Sequence, residues 1–210
     1  MYFKDRVDAG KRLAGLLGQF KGKGSVIYAL PRGGVVIGAE IAKALGAPLD
    51  LIITRKIGHP NQPELAIAAL SEDGHLIIDP DFENLTHTSW FLEAVEKEKA
   101  EAKRRREVYL GGRKPISCLG KIAILVDDGI ATGLTLKAAI QSLKYLYRPK
   151  KIVVAVPLAP LDIIRDLEKK EQVEVITVEV PKRPFGAIGM YYQNFSEVSD
   201  EEVVNLLNFS

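Results

Sequence analysis

The chain of 210 residues has a single cysteine, Cys118, which excludes an internal disulfide and any cysteine-built metal site. Its position just ahead of an apolar run suits a small buried residue near a strand start. A strong charge of either sign is also missing. The 29 Lys and Arg nearly balance 27 Asp and Glu, for a formal net charge of +2. That is too little to argue for nucleic acid, but it is compatible with a locally basic pocket. No apolar stretch approaches a membrane span, and the charged segment Met1–Gly10 lacks the apolar core of a signal peptide. A cytoplasmic protein is therefore expected. Internal repeats and low-complexity segments are absent. What remains is ordinary for a globular chain, 47% hydrophobic and 27% charged, enough for a single α/β domain over residues 1–210.

The densest information lies in Ile122-Ala-Ile-Leu-Val126 and the residues after it, Asp127-Asp128-Gly129-Ile130-Ala131-Thr132-Gly133-Leu134-Thr135. The apolar run shows no polar alternation, as in a buried strand of a parallel sheet. Asp127 and Asp128 then stand at its carboxyl end, at the mouth of the sheet. Gly129 and Gly133 let the backbone turn and bring N–H groups near an anion, while Thr132 and Thr135 add hydroxyl donors. A helix from Leu134 to Tyr147 would point its positive end at the same place. Two acids beside such a nest suit a sugar phosphate, because carboxylates accept hydrogen bonds from vicinal hydroxyls.

Helical spacing of Ala9, Leu13, Leu16, Leu17 and Phe20 predicts an amphipathic helix over 7–20. A strand over 25–30 runs into Pro31-Arg32-Gly33-Gly34. The next helix, 35–45, stops at Gly46 with Pro48 beyond it, and a strand over 49–54 follows. Gly58–Glu64 reads as a loop, and 67–70 with 75–78 as an antiparallel hairpin around Ser71–Gly74. A charged helix over 89–109 precedes the strand 122–126. The strand 152–156, a helix over 162–171, a strand over 173–180 and a tail with a short helix from Asp200 complete the order. The fold class is α/β: a doubly wound, mainly parallel five-stranded sheet in the order 2-1-3-4-5, helices on both faces, with an antiparallel hairpin insertion. In that order the loops after the first and third parallel strands flank one crevice, where open α/β sheets bind ligands.

The first of those loops offers more than a turn. Gly33-Gly34 lets main-chain N–H groups approach a ligand, and Arg32 adds a planar fork suited to phosphate. Arg55 and Lys56, ending the second strand at the same rim, bring further positive charge. On the helix 93–109, Glu93–Lys97 and Glu101–Arg105 pair at i,i+4, so Lys103-Arg104-Arg105-Arg106 reads as a solvated face rather than an RNA contact.

The segment Ile122–Thr135 closely resembles the phosphoribosyl diphosphate (PRPP) motif of type I phosphoribosyltransferases: a hydrophobic strand, two acids, a small-residue loop and Thr-Gly-x-Thr. The resemblance implies that Asp127 and Asp128 contact the ribose 2- and 3-hydroxyls, and Mg2+ indirectly through ribose or water. It implies that Gly129, Ile130, Ala131, Thr132, Gly133, Leu134 and Thr135 hold the 5-phosphate. Arg32, Gly33 and Gly34 would bind diphosphate, on a loop that in the family often has a non-proline cis peptide. Lys56–Glu64 is similar in position to the family's mobile catalytic loop, which makes Arg55, Lys56 and Glu64 the implied catalytic residues. The family's base-binding hood would come from 181–210 with part of 1–20. There Phe185 or Tyr191 would stack on a base, and Gln193 or Asn194 would read its edge. Ala131 resembles the adenine, orotate and uracil branches more than those acting on 6-oxopurines.

The whole chain also looks like a group of stand-alone phosphoribosyltransferases with an N-terminal Phe-x-Asp-Arg-x-x-Ala-Gly, here Phe3–Gly10, and a tail with Ser-Asp-Glu-Glu-Val, here Ser199–Val203. An Asp is common in that group at the position of Asn194. The implied activity is Mg-dependent transfer of ribose 5-phosphate from PRPP to a nitrogenous base with release of diphosphate, by a homodimer. The alternative is a non-catalytic PRPP- or nucleotide-sensing regulator on the same fold.

Overall fold

The computed structural model describes residues 3–182 and 186–208. Along the chain run α1 (Arg6–Leu16), β1 (Ser25–Ala29), α2 (Gly33–Leu45), β2 (Leu49–Leu51), β3 (Thr54–His59), β4 (Gln62–Ser71) and β5 (Leu76–Ile78). Then follow α3 (Ser89–Leu110), β6 (Ile122–Val126), α4 (Leu134–Ser142), β7 (Lys151–Leu158), α5 (Leu161–Asp166), β8 (Glu174–Glu179) and α6 (Asp200–Asn208). Local chemistry sets several ends. Asp5 caps α1 by accepting a hydrogen bond from the Asp8 N–H at 2.8 Å, and α2 stops where Gly46 turns left-handed. Beyond α4 and α5 the chain makes one further wide turn each, over Leu143–Tyr147 and Leu167–Glu171.

The five parallel strands pair in the order β2-β1-β6-β7-β8, the 2-1-3-4-5 arrangement the sequence implies. β1 and β6 are buried at every position because helices cover both faces of the sheet. Ile27, Ala29, Ile124 and Val126 pack on one side with α1, α2 and α6; Val26, Tyr28, Ala123 and Leu125 pack on the other with α4.

The insertion differs from expectation. β3, β4 and β5 form a separate three-stranded antiparallel sheet, in which the segment 56–64 is not a loop. It is the far half of a hairpin that pairs from Thr54–Ser71 out to His59–Gln62, with register shifts around Gly58. Apolar side chains explain the pairing: Ile57, Ile67, Ala68, Leu70 and Phe91 make a small core of their own under α3. The second core strand accordingly ends at Leu51, and Thr54 opens the hairpin.

Among the described residues, Asp50, in β2, is the one buried acid of the main sheet, only 2% exposed. It accepts from the N–H groups of Ile116 (2.6 Å) and Leu51 (2.8 Å), while desolvation raises its pKa. It thereby pins the segment leading into β6. Asp50→Ala strands the Ile116 N–H, and is expected to cost roughly 1–3 kcal/mol in urea unfolding.

Candidate functional site

Ala29 pairs with Val126 in register, so β1 and β6 end side by side. The Leu30 N–H donates to the Val126 carbonyl at 2.9 Å, carrying the pairing one step further. The two loops that leave these strands open into one cavity of about 300 Å³. Its walls are Leu30, Pro31, Arg32 and Gly33 from the first loop, and Asp127–Gly133 with Thr135 from the second. Thr54, Arg55 and Lys56 of β3, Arg105 of α3, Leu136 of α4 and Ile188 of the tail complete the lining. The Pro31–Arg32 peptide is cis, as the resemblance led us to expect.

The acids are held from different sides. Asp127 Oδ1 accepts from the Asp128 N–H at 2.8 Å. Burial, reinforced by the charge of Asp128, pushes the Asp127 carboxyl well above the usual range, against weaker pulls from that N–H, Lys56 and Arg6. Asp128 Oδ2 meets the Nε of Arg6 at 2.9 Å. Among the described residues, Asp127 Oδ2 and Asp128 Oδ1 accept no hydrogen bond. One oxygen of each acid therefore remains for a ligand.

Gly133 takes φ +76° as it turns the loop into α4, a conformation that side chains with a Cβ resist. The first turn of α4 then faces the cavity, with the hydroxyl of Thr135 beside it. Two members of the expected cradle are otherwise engaged. Leu134 turns its side chain into a small cluster with Ala66, Ala69 and Ala138. Ile130 spends its N–H on the Leu158 carbonyl at 3.0 Å. The donors left on this loop are those of Gly129, Ala131, Thr132 and Gly133.

Other expected residues are distributed unevenly. Arg32 lines the cavity, but its guanidinium pairs with Glu197 and lies 3.4 Å from Asp200, which also accepts from the Tyr109 hydroxyl at 2.6 Å. Gly33 lines the cavity, whereas Gly34 does not. Arg55 reaches the rim with its Nε 2.7 Å from Glu98, and Lys56 stands exposed beside it. Glu64 is exposed on β4 and does not line the cavity. Tyr191 packs against the core that includes Phe3 and Tyr192 and likewise stays off the cavity wall. Phe185 lies outside the described residues. The tail pairs with the N-terminal segment: Phe3 and Tyr192 bridge in parallel, and Asn194 donates its N–H to the Lys4 carbonyl at 2.9 Å.

The sequence does not single out five contributors, Thr54, Arg105, Leu136, Ile188 and Arg6. For Arg6 a signal existed, since it belongs to the Phe-x-Asp-Arg run. Arg105 was read as solvated because Glu101 stands four residues before it, and that pair does form, at 2.8 Å.

Over 208 residues the chain is 45% identical to a Mycobacterium tuberculosis protein that carries a provisional phosphoribosyl transferase name, in two strains. The alignment takes in 98% of this chain but 46% of the relative, so the chain spans about half the length of the curated proteins it matches. A Thermus thermophilus protein of known crystal structure is 37% identical, with a TM-score of 0.78 over 99% of this chain and 98% of that one. A Neisseria gonorrhoeae protein crystallised with ppGpp is 12% identical, with a TM-score of 0.50 over 100% and 98% of the two chains, and shares the fold. The family model for the phosphoribosyl transferase domain matches residues 5–193, and the chain belongs to that family.

Proposed function

We propose that this protein transfers ribose 5-phosphate from PRPP to a nitrogenous base. The observation that carries this reading is that Asp127 and Asp128, each with one oxygen that accepts no hydrogen bond among the described residues, line the same cavity as the loops at 30–33 and 129–133. Two acceptors on adjacent residues match two vicinal hydroxyls. The nest at 129–133 then takes the 5-phosphate, and the N–H of Gly33 takes the diphosphate. In the reaction the bond from ribose C1 to the diphosphate oxygen breaks, its electron pair leaving with diphosphate. A base nitrogen supplies the pair for the new bond to C1, and its proton leaves to the departing diphosphate. Lys56, Arg55 and Arg105 at the rim offset charge on the departing diphosphate.

The acids fit Mg2+ as partners at one remove. The donors here are oxygens, which suit a hard cation. No group of three or more His, Cys, Asp or Glu gathers among the described residues, so Asp127 and Asp128 would hold the ion through ribose and water oxygens. When bound, it neutralises charge on the diphosphate. A second cavity of about 930 Å³ adjoins the first at Ala131 and Thr132 and is lined by Pro160, Ile163, Val180 and Lys182. It gives the acceptor base room beside the ribose.

Incubation of the protein with PRPP, Mg2+ and a panel of nucleobases, read by mass spectrometry, tests the proposal. A base-dependent nucleotide together with diphosphate is the expected result, abolished by EDTA. Tight PRPP binding without product for any base would replace transfer with sensing.

A further inference from the structure

We infer that Arg6 is a positioning residue for the ribose site: it aims Asp128 and locks that aim to the tail segment 192–196. This rests on the reading of the cavity as a PRPP site. Arg6 is the first residue of α1, whose start is fixed by the Asp5 cap and by the buried face Ala9, Leu13 and Ala14. Just before it, the extended residues Phe3 and Lys4 are stitched to the tail. The Phe3 N–H donates to the Tyr191 carbonyl at 3.0 Å, and the Gln193 N–H donates to the Phe3 carbonyl at 2.9 Å. Arg6 therefore emerges at the seam between α1, the tail and the loop after β6.

Its guanidinium is engaged there from three directions. Nε donates to Asp128 Oδ2 at 2.9 Å and Nη1 to the Ser196 carbonyl at 2.7 Å, while the group lies 3.8 Å over the Phe195 ring centroid. The Arg6 side chain is 11% exposed and that of Asp128 15%. Arg6 does not line the cavity, whereas Asp128 does, so any effect on a ligand must pass through the carboxylate. With Oδ2 taken by Arg6, Oδ1 is the oxygen of Asp128 left to accept from a sugar hydroxyl. The tail fixes the same residue a second time, since the Tyr192 hydroxyl donates to the Asp128 carbonyl at 2.7 Å. A lysine could supply the charge. Only the planar fork can bond two acceptors in different directions while stacking on an aromatic ring.

A mere structural tie would make the same contacts, so stability alone does not separate the two roles. Calorimetric titration of the full chain with Mg–PRPP and with metal-free diphosphate in EDTA does, because diphosphate without the ion does not use Asp128. Arg6→Ala should weaken PRPP by about 10- to 100-fold and leave diphosphate within about twofold. Arg6→Lys should fall between Ala and wild type. The double variant Arg6→Ala/Asp128→Ala should bind PRPP no more weakly than Asp128→Ala alone, as expected when one residue acts through the other. Equal losses for both ligands, full additivity, or unchanged PRPP affinity in Arg6→Ala would each overturn the assignment. Should Arg6→Ala fail to fold, Arg6→Lys and Arg6→Gln carry the same comparison. A wild-type chain that binds no Mg–PRPP sinks the reading of the cavity and this inference together. A wild-type chain that binds it while the Arg6 variants bind equally well sinks the inference alone.

Discussion

Replacing both Asp127 and Asp128 with asparagine is expected to weaken Mg–PRPP binding by about 10²- to 10⁴-fold while the chain still folds. The range follows from two lost charge-assisted hydrogen bonds of about 1.5–3 kcal/mol each, with about 1.4 kcal/mol per tenfold. The two single variants are expected to part in stability, which makes the test more demanding than a loss of binding. Asp127 is a carboxyl whose pKa is raised by burial and then by its neighbour's charge. The folded state thus binds its proton more tightly than the unfolded state does. That contribution is fully present below the unfolded carboxylate pKa and is lost as pH rises through the raised folded value. Asp127→Asn removes the penalty, so it should raise the melting temperature, and by more at alkaline pH than at acid pH. Asp128→Asn instead removes the charge that faces Arg6 across 2.9 Å. It should cost roughly 1 kcal/mol, because asparagine keeps an oxygen for the Arg6 Nε. Thermal melts across pH, together with PRPP titrations, check both signs. Acids retained for folding would not show binding falling in both variants while stability moves in opposite directions. A site that gives up stability to hold a reactive ligand would.

The fold was legible because its strongest signals are local and doubly constrained. Ile122–Val126 carries no polar residue, and only a strand covered on both faces tolerates that. The paired acids follow at once, so a single stretch declared both the core and the mouth of the site. The order of the strands then brought Pro31–Gly34 to the same crevice without any knowledge of contacts. What stayed hidden depends on partners far along the chain. Arg32 looks like a phosphate fork until Glu197 and Asp200, more than 160 residues away, are seen to occupy it. Arg105 stands among four consecutive basic residues on one helix, and no local pattern tells which of them meets a cavity. The hairpin at 54–71 was hidden by its own punctuation. Gly58, Pro60 and Pro63 read as a loop, yet the apolar partners Ile57 and Ile67 hold the strands together across the interruption.

Gly33→Ala should damage both stability and binding, because it strikes the Asp128–Arg6 pair directly. A Cβ built on Gly33 would sit 1.9 Å from Asp128 Oδ2 and 2.7 Å from Arg6 Nε. Neither neighbour can yield cheaply. The carboxylate is held by Arg6 and, through its own main chain, by Tyr192; the guanidinium is held by Ser196 and Phe195. Overpacking of this kind typically costs about 1–3 kcal/mol. Here the displaced group is also the one proposed to receive the sugar hydroxyl, so PRPP affinity should fall by about 10- to 100-fold as well. Gly15→Ala is the matched control. Gly15 lies within α1, and its added Cβ would meet nothing within 4 Å, so the substitution should stabilise the chain by about 0.5–1 kcal/mol through helix propensity and leave binding unchanged. Urea unfolding and Mg–PRPP titration of the two variants side by side give the comparison. A Gly33→Ala protein as stable as wild type and binding as tightly would mean that the Asp128–Arg6 pair is free to move aside, and that its geometry is not what holds the ribose.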